Sequence, residues 1–383
     1  MKYVDEYRDA ALARVVAEKI AQAAHGERQY RLMEFCGGHT HAISRYGITD
    51  LLPANVHMIH GPGCPVCVLP VGRIDSAIEL VSLRGLTLCT YADTLRVPAS
   101  NRLSLMKAKA RGADVRMVYS VADALRLARL NPARDWVFFA IGFETTAPST
   151  ALAIRAAADL QLANFSVYCN HVITPAAMAE ILGSPQAPGA DAVRIDGIVG
   201  PGHVSCVIGS KAYEFVAEKY RRPVVIAGFE PLDVMQAVLM LVRQLNAGRH
   251  AVENEYARAV TRGGNAKAQE LVAEVFELRP TFEWRGLGEI PDSAHQIKPK
   301  YASFDAEVRY GIAYRRAPDN KACECGAILR GTKQPAQCKA FGTACTPDSP
   351  LGACMVSSEG ACAAHYAYGR FRESVTPEME ATA

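Results

Sequence analysis

The sequence predicts an α/β protein. Two Rossmann-like domains on parallel sheets are expected, with a third domain around a cysteine cluster. Three observations carry this. Short apolar runs alternate with helical stretches over residues 31–250, the pattern of parallel strands covered on both faces. Every unusual turn follows such a run, where open α/β sheets bind ligands. Cys323, Cys325, Cys338, Cys345, Cys354 and Cys362 crowd one C-terminal stretch.

Along the chain, Val4, Tyr7, Ala11, Leu12, Val15, Val16 and Ile20 recur at helical spacing, giving an amphipathic helix within 2–24. Strands are expected at 31–35, 56–59, 86–91, 115–119, 136–141, 165–170, 197–199 and 224–227. Helices are expected at 42–52, 73–83, 101–111, 121–130, 149–160, 175–182 and 232–245. The domains are then 31–135, 136–250 and 251–383, the last joined by the N-terminal helix of residues 1–30. Ile59-His60-Gly61-Pro62-Gly63 echoes Val199-Gly200-Pro201-Gly202, and Gly142-Phe143-Glu144 echoes Gly228-Phe229-Glu230. The echo is read either as an internal repeat of two halves or as convergent turn chemistry. Residues 281–322 show no clear periodicity, and the tail after Phe371 reads as disordered.

The 383 residues carry a formal charge of +3, and no basic run is interleaved with aromatics, so nucleic acid is not an expected partner. No apolar stretch approaches the ~20 residues of a bilayer span. The charged N-terminus lacks a signal-peptide core. A cytoplasmic location is expected, and in that reducing setting the 12 cysteines read as metal ligands or redox groups rather than staples.

The stretch RLMEFCGGHTH (31–41) runs from a strand into Cys36, two glycines, His39 and His41. It reads as a thiol delivered onto a flexible loop to hold or handle a metal-bound group, with the glycines admitting a close approach. Cys64 and Cys67 in GPGCPVC suit a dithiol redox pair, or a structural zinc knuckle completed by Cys36, His39 and His41. The C-terminal cysteines are spaced too widely for an ordinary zinc site and suit a [4Fe–4S] cluster beside a redox dithiol; zinc or unrelated buried thiols are the alternatives. Because two thiolates one residue apart hardly serve two corners of one cube, Cys323, Cys338, Cys345 and Cys362 are assigned as ligands, and Cys325 and Cys354 as the dithiol. Glu144, Thr145 and Thr146 follow a strand in GFETTAP, where the turn either cradles an anion or caps a helix through Thr146 or Ser149. No P-loop lysine follows, which argues against an ATP-using enzyme. His203, Glu230 and, more weakly, His171 occupy similar turns. Cys89 and Cys169 lie in apolar runs as small buried residues.

Taken together, CGGHTH, GPGCPVC, GFETTAP, GPGHV and the tail CECG, CKAFGTAC and GACMVSSEGAC resemble the HypD family of hydrogenase formation and maturation factors, in one order over nearly the whole chain. The resemblance implies a scaffold and redox protein for assembly of the Fe(CN)2CO group of [NiFe]-hydrogenase. It implies a monomer working in a heteromeric complex with a small HypC-type partner, and cyanide supplied by HypE with HypF. It also implies a [4Fe–4S] domain, iron held by Cys36 with Cys64 and Cys67 as companions, and His39 or His41 orienting the thiol. The expectation from a different class is a stand-alone iron–sulfur thiol–disulfide oxidoreductase, which has no need of CGGHTH.

Overall fold

The computed structural model describes all residues except 1, 3, 84, 184–193 and 370–383; the tail read as disordered lies outside the described residues. Two all-parallel sheets form the frame, and the chain passes from one to the other and back. β1 (Tyr30–Glu34) and β2 (Val56–His60) open the first sheet. β3 (Leu86–Thr90), β4 (Val115–Met117), β5 (Asp135–Gly142) and β6 (Phe165–His171) make the second. β7 (Gly197–Pro201), β8 (Val224–Ala227) and β9 (Val252–Asn254) return to the first. The strand orders are β2-β1-β7-β8-β9 and β4-β3-β5-β6.

The α/β parallel-sheet class is as expected, but the sheets cut across the division into 31–135 and 136–250. β3 and β4 pair with β5 and β6, while β1 and β2 pair with β7 and β8. Both Gly-Pro-Gly turns therefore follow strands of the same sheet, and the two Gly-Phe-Glu turns follow strands of different ones. The echo does not map onto two sequence halves. Nor does the third unit begin at 251, because β9 completes the first sheet.

β5 shows how local sequence becomes a layer. Val137, Phe139 and Ile141 face one core, while Trp136, Phe138 and Ala140 face another, so the period-two alternation leaves an unbroken apolar run. Helix α1 (Ala10–Ala23), capped by the Asp9 carboxylate, packs on the apolar helix Pro231–Asn246 beside the first sheet, not on the C-terminal region. α2 (Gly37–Tyr46), α3 (Ile48–Leu51), α4 (Pro65–Val68) and α5 (Val71–Val81) follow β1 and β2. Beyond β9 the helix Ala266–Val275 packs on the helix Ala147–Asp159. Two small antiparallel pairs come next: β10 (Phe276–Leu278) with β13 (His295–Ile297), and β11 (Thr281–Trp284) with β12 (Gly288–Pro291). The cysteine-rich segment then shares one core with α4, α5 and a face of the second sheet.

Candidate functional site

In an open parallel sheet, a crevice opens where the strand order reverses direction. In the first sheet that point lies between β1, whose chain steps outward to β2, and β7, whose chain steps the other way to β8. Cys36 follows β1 and His203 follows β7. The Cys36 Sγ stands 3.7 Å from His203 Nδ1, so the fold brings together two residues 167 positions apart.

The CGGHTH stretch is not a flexible loop. Cys36 is the N-cap residue of α2 and is only 5% exposed, and Gly37 through His41 form helix. The glycines do not leave room for an approaching group, because that space is filled. A Cβ on Gly37 would sit 2.5 Å from the Glu359 Cβ, and one on Gly38 would sit 2.7 Å from the Phe229 ring. Gly63 packs its Cα face on the Cys36 backbone, where a Cβ would come 2.5 Å from the amide nitrogen. The Gly37 N–H donates to Gly63 O at 2.9 Å, which ties the GPGCPVC turn to the Cys36 turn.

Glu34, at the end of β1, is fully buried and gathers this corner. Its Oε2 accepts from the Cys36 N–H at 2.9 Å, and its Oε1 takes the Thr40 hydroxyl and His60 Nδ1, the latter at 3.1 Å. A carboxylate before the first turn of α2 also suits the positive end of the helix dipole. Sequence reasoning passed over Glu34, although a charge inside the run RLMEF was a visible signal. Glu359 and Phe229 gave no such signal.

Burial pushes the Cys36 thiol up to about 12, helped by the nearby charges of Glu359 and Glu34. His203 is exposed to solvent on one side; crowding by its neighbours, with His39 nearby, draws it below the usual histidine range. The thiol therefore keeps its proton and presents it to a neutral imidazole. The His203 ring stacks on Phe229 at 3.8 Å, and His39 stacks on the same ring at 5.0 Å. His39 is held neutral by burial. Its Nε2–H faces the Ala227 carbonyl at 3.0 Å, which leaves the buried Nδ1 lone pair without a partner. His41 points elsewhere, with its Nδ1 3.4 Å from Ser358 O and its ring edge-on to Tyr368.

Cys64 and Cys67 are joined as a buried disulfide in α4, which packs against β5 and against the turn Ala353–Met355 that carries Cys354. Among the described residues, no three His, Cys, Asp or Glu side chains converge on a point fit for a single metal ion, so the zinc knuckle is not assembled. Cys323, Cys325, Cys338, Cys345 and Cys362 line one narrow apolar space with Ile328, Ala340, Phe341 and Met355. Cys325 thus sits among the four assigned ligands, in contact with Cys323 and Cys362, while Cys354 lies outside that lining, on the α4 side. Hydrogen bonding to Cys325, then burial, pushes the Cys323 and Cys362 thiols upward. Glu324 completes the lining, and the five cysteines among these apolar side chains fit the donor set of an iron–sulfur cluster.

The remaining candidates lie apart from these two sites. The Glu144 carboxylate accepts from the Thr174 N–H and hydroxyl, both at 2.9 Å, and so ties β5 to the helix Thr174–Gly183; burial pushes it up to about 7. Thr146 bonds Phe143 O and meets His171 rather than capping the helix, and Thr145 is exposed. Glu230 is held by a two-pronged ion pair with Arg8. Among the described residues, no helix is long and apolar enough to cross a membrane.

Residues 11–369 match the HypD family, described as the hydrogenase formation hypA family. The chain belongs to the HypD family. The hydrogenase maturation factor HypD of Rhizobium leguminosarum bv. viciae is 65% identical over 375 residues, covering 98% of this chain and 97% of its own. The Cupriavidus necator HypD is 63% identical over 97% of this chain and 98% of its own, and the Escherichia coli K12 HypD is 48% identical over 96% and 98%. The Cys36 and His203 crevice, the α4 disulfide and the cysteine-lined pocket are thus features of a HypD-family fold.

Proposed function

We propose that this protein is a hydrogenase maturation factor that holds iron through Cys36 while the Fe(CN)2CO group is assembled. Its partners are a small HypC-type protein and a HypE–HypF cyanide donor, and it acts in the cytoplasm. The observation that carries this reading is the Cys36–His203 pair at the switch point of the first sheet, in a chain of this family. Thiolate is a fitting soft ligand for iron that carries strong-field diatomics. Metal binding takes the thiol proton, and His203 Nδ1 stands as its acceptor. Glu34 fixes the Cys36 amide at the start of α2. The unpartnered His39 Nδ1 adds a buried electron pair beside the Phe229 ring.

The C-terminal cysteines fit a [4Fe–4S] cluster, which would supply single electrons when bound. Cys323, Cys338, Cys345 and Cys362 would hold it. The position of Cys325 in the same lining makes it the competing fourth ligand in place of Cys323. Cys64 and Cys67 would serve as the companion redox pair.

The packing of the α4 disulfide on the Cys354 turn favours a second reading, a stand-alone thiol–disulfide oxidoreductase. Infrared spectra of the anaerobically purified protein with a HypC-type partner separate the two. The scaffold reading expects cyanide and carbonyl stretching bands that vanish in Cys36→Ala. Bands absent from the wild type, with disulfide reduction of a protein substrate retained, would sink it.

A further inference from the structure

Residues 94–113, which lead from β3 to β4, carry Arg96, Arg102, Lys107, Lys109 and Arg111 and no acidic side chain. In a chain whose formal charge is only +3, this gathers basic charge in one place. The segment begins beyond the carboxyl end of β3, the region where open sheets bind their ligands. A cleft of about 470 Å3 opens there between this segment and the cysteine-rich region. Its charged lining is Arg96, Arg102, Lys107 and Arg285 against Asp319 and Asp348. Arg285 and Asp319 pair with each other, and Arg96 donates to Pro347 O, which joins the two walls. Arg102 and Lys107 are exposed and, among the described residues, have no acidic partner. The cleft is left with a net positive charge facing solvent.

The far wall of the cleft, residues 348–351, also lies against the cysteine-lined pocket. The Leu351 N–H donates to Cys345 Sγ at 3.4 Å. The next residue, Gly352, has no room for a side chain, because the Cys323 and Cys325 sulfurs fill that space. A single turn of backbone therefore separates the cleft from the sulfurs of three cysteines that line the pocket. The cleft lining also includes the apolar side chains of Met106, Pro350 and Leu351. An apolar centre within a charged rim is the anatomy of a protein interface. Exposed rim charge steers and orients a partner more than it grips one, as suits the small, transient contacts of electron transfer.

We propose that this basic cleft docks an acidic one-electron carrier protein, which reduces the group in the cysteine-lined pocket across the turn 348–352. The proposal rests on the reading that this group is an iron–sulfur cluster. One electron passes from the reduced centre of the carrier to the oxidised cluster, and no bond or proton moves. Arg102 and Lys107 supply the attraction, and Leu351 and Gly352 are the backbone the electron crosses.

The test uses the full-length protein and an acidic [2Fe–2S] ferredoxin. Calorimetry reads binding of the oxidised ferredoxin, and stopped-flow absorbance reads reduction of the reconstituted cluster by the reduced one. Arg102→Glu combined with Lys107→Glu is expected to weaken binding and slow reduction about 10-fold or more at an ionic strength of about 0.01 M, where charges act over about 30 Å. The gap should close near about 1 M, where they act over about 3 Å. Arg126→Glu combined with Arg129→Glu makes the same charge change on the exposed side of the helix Val121–Leu130, which packs on the other face of the second sheet. That variant is expected to stay within about twofold of wild type. Cleft variants within about twofold of wild type, an equal loss in the control variant, or wild-type binding that salt does not weaken would each overturn the proposal while leaving a loaded cluster intact. Calorimetric binding of inorganic pyrophosphate that vanishes in the cleft variant, with ferredoxin binding unmoved, would assign the cleft to a small anion and overturn it as well. A wild-type protein that takes up no cluster would remove the cofactor reading and this proposal with it.

Discussion

Glu34→Gln is the sharpest probe of how Cys36 is held. Three donors converge on two carboxylate oxygens: the Cys36 N–H on one, Thr40 and His60 on the other. Glutamine has the same shape but one accepting oxygen. The less costly orientation turns that oxygen toward Thr40 and His60 and sets an NH2 group against the Cys36 N–H, donor to donor. The loss is one hydrogen bond to a charged group, about 1.5–3 kcal/mol. It falls on the first turn of α2, which also loses a favourable charge at its N-terminus. Hydrogen exchange by mass spectrometry on peptides spanning α2 reads this locally, without assuming that so long a chain unfolds in two states. At about 1.36 kcal/mol per decade, exchange there should quicken roughly 10- to 150-fold, and the cyanide and carbonyl bands of the complex should weaken. Exchange within twofold of wild type, with bands intact, would refute the claim that Glu34 positions the thiol.

Two further perturbations follow from the same geometry. Gly38→Ala drives a methyl group into Phe229, which backs both His203 and His39; overpacking of this kind costs about 1–3 kcal/mol. Thermal unfolding should show the loss, with Gly26→Ala, where nothing lies within 4 Å, as the neutral control; equal melting of the two variants would contradict it. Glu144 has a folded pKa raised by burial from 4.5 to about 7. The fold prefers its protonated form, so its contribution to stability is full below pH 4.5 and is lost as pH rises toward about 7. At about 1.36 kcal/mol per unit the swing approaches 3 kcal/mol. Glu144→Gln should flatten that part of the stability-versus-pH curve, and denaturant titrations at pH 5 and pH 8 that give the same difference from wild type at both values would count against it.

The sequence made the elements legible wherever one residue's neighbours decide its burial. The run 136–141 anticipates Asp135–Gly142, and 232–245 anticipates Pro231–Asn246, because a doubly buried strand or an apolar helix writes its own pattern. β9 escaped notice because Val-Glu-Asn is a short, polar edge strand. CGGHTH looked like a loop because two glycines are poor helix formers. Packing against Glu359 and Phe229, residues some 320 and 190 positions away, overrides that preference. Strand order was beyond reach for the same reason: nothing local in Leu32 or Gly197 records that they are neighbours. The motif residues were identifiable as types of chemistry, but Glu34, which holds the Cys36 amide, carries no motif.

The second sheet also has a switch point, between β3 and β5, and it bears on the same crevice. Asp93 follows β3, and its charge, after burial, helps to raise the Glu359 carboxyl; Glu34 acts on Glu359 as well. Glu359 in turn lies against Gly37 and raises the Cys36 thiol. Glu34 and Glu359 thus place two acidic groups around one buried sulfur, and Asp93 acts on it only through Glu359. Such an arrangement disfavours a bare thiolate, because the negative charges repel at low permittivity. The same charges favour the thiolate once a divalent cation sits against it. A thiol that stays protonated until metal arrives is protected from oxidation, since the thiolate is the reactive form. On the proposed reading the acidic surround and His203 would act together: one would make metal the condition for ionising Cys36, and the other would offer the proton an acceptor.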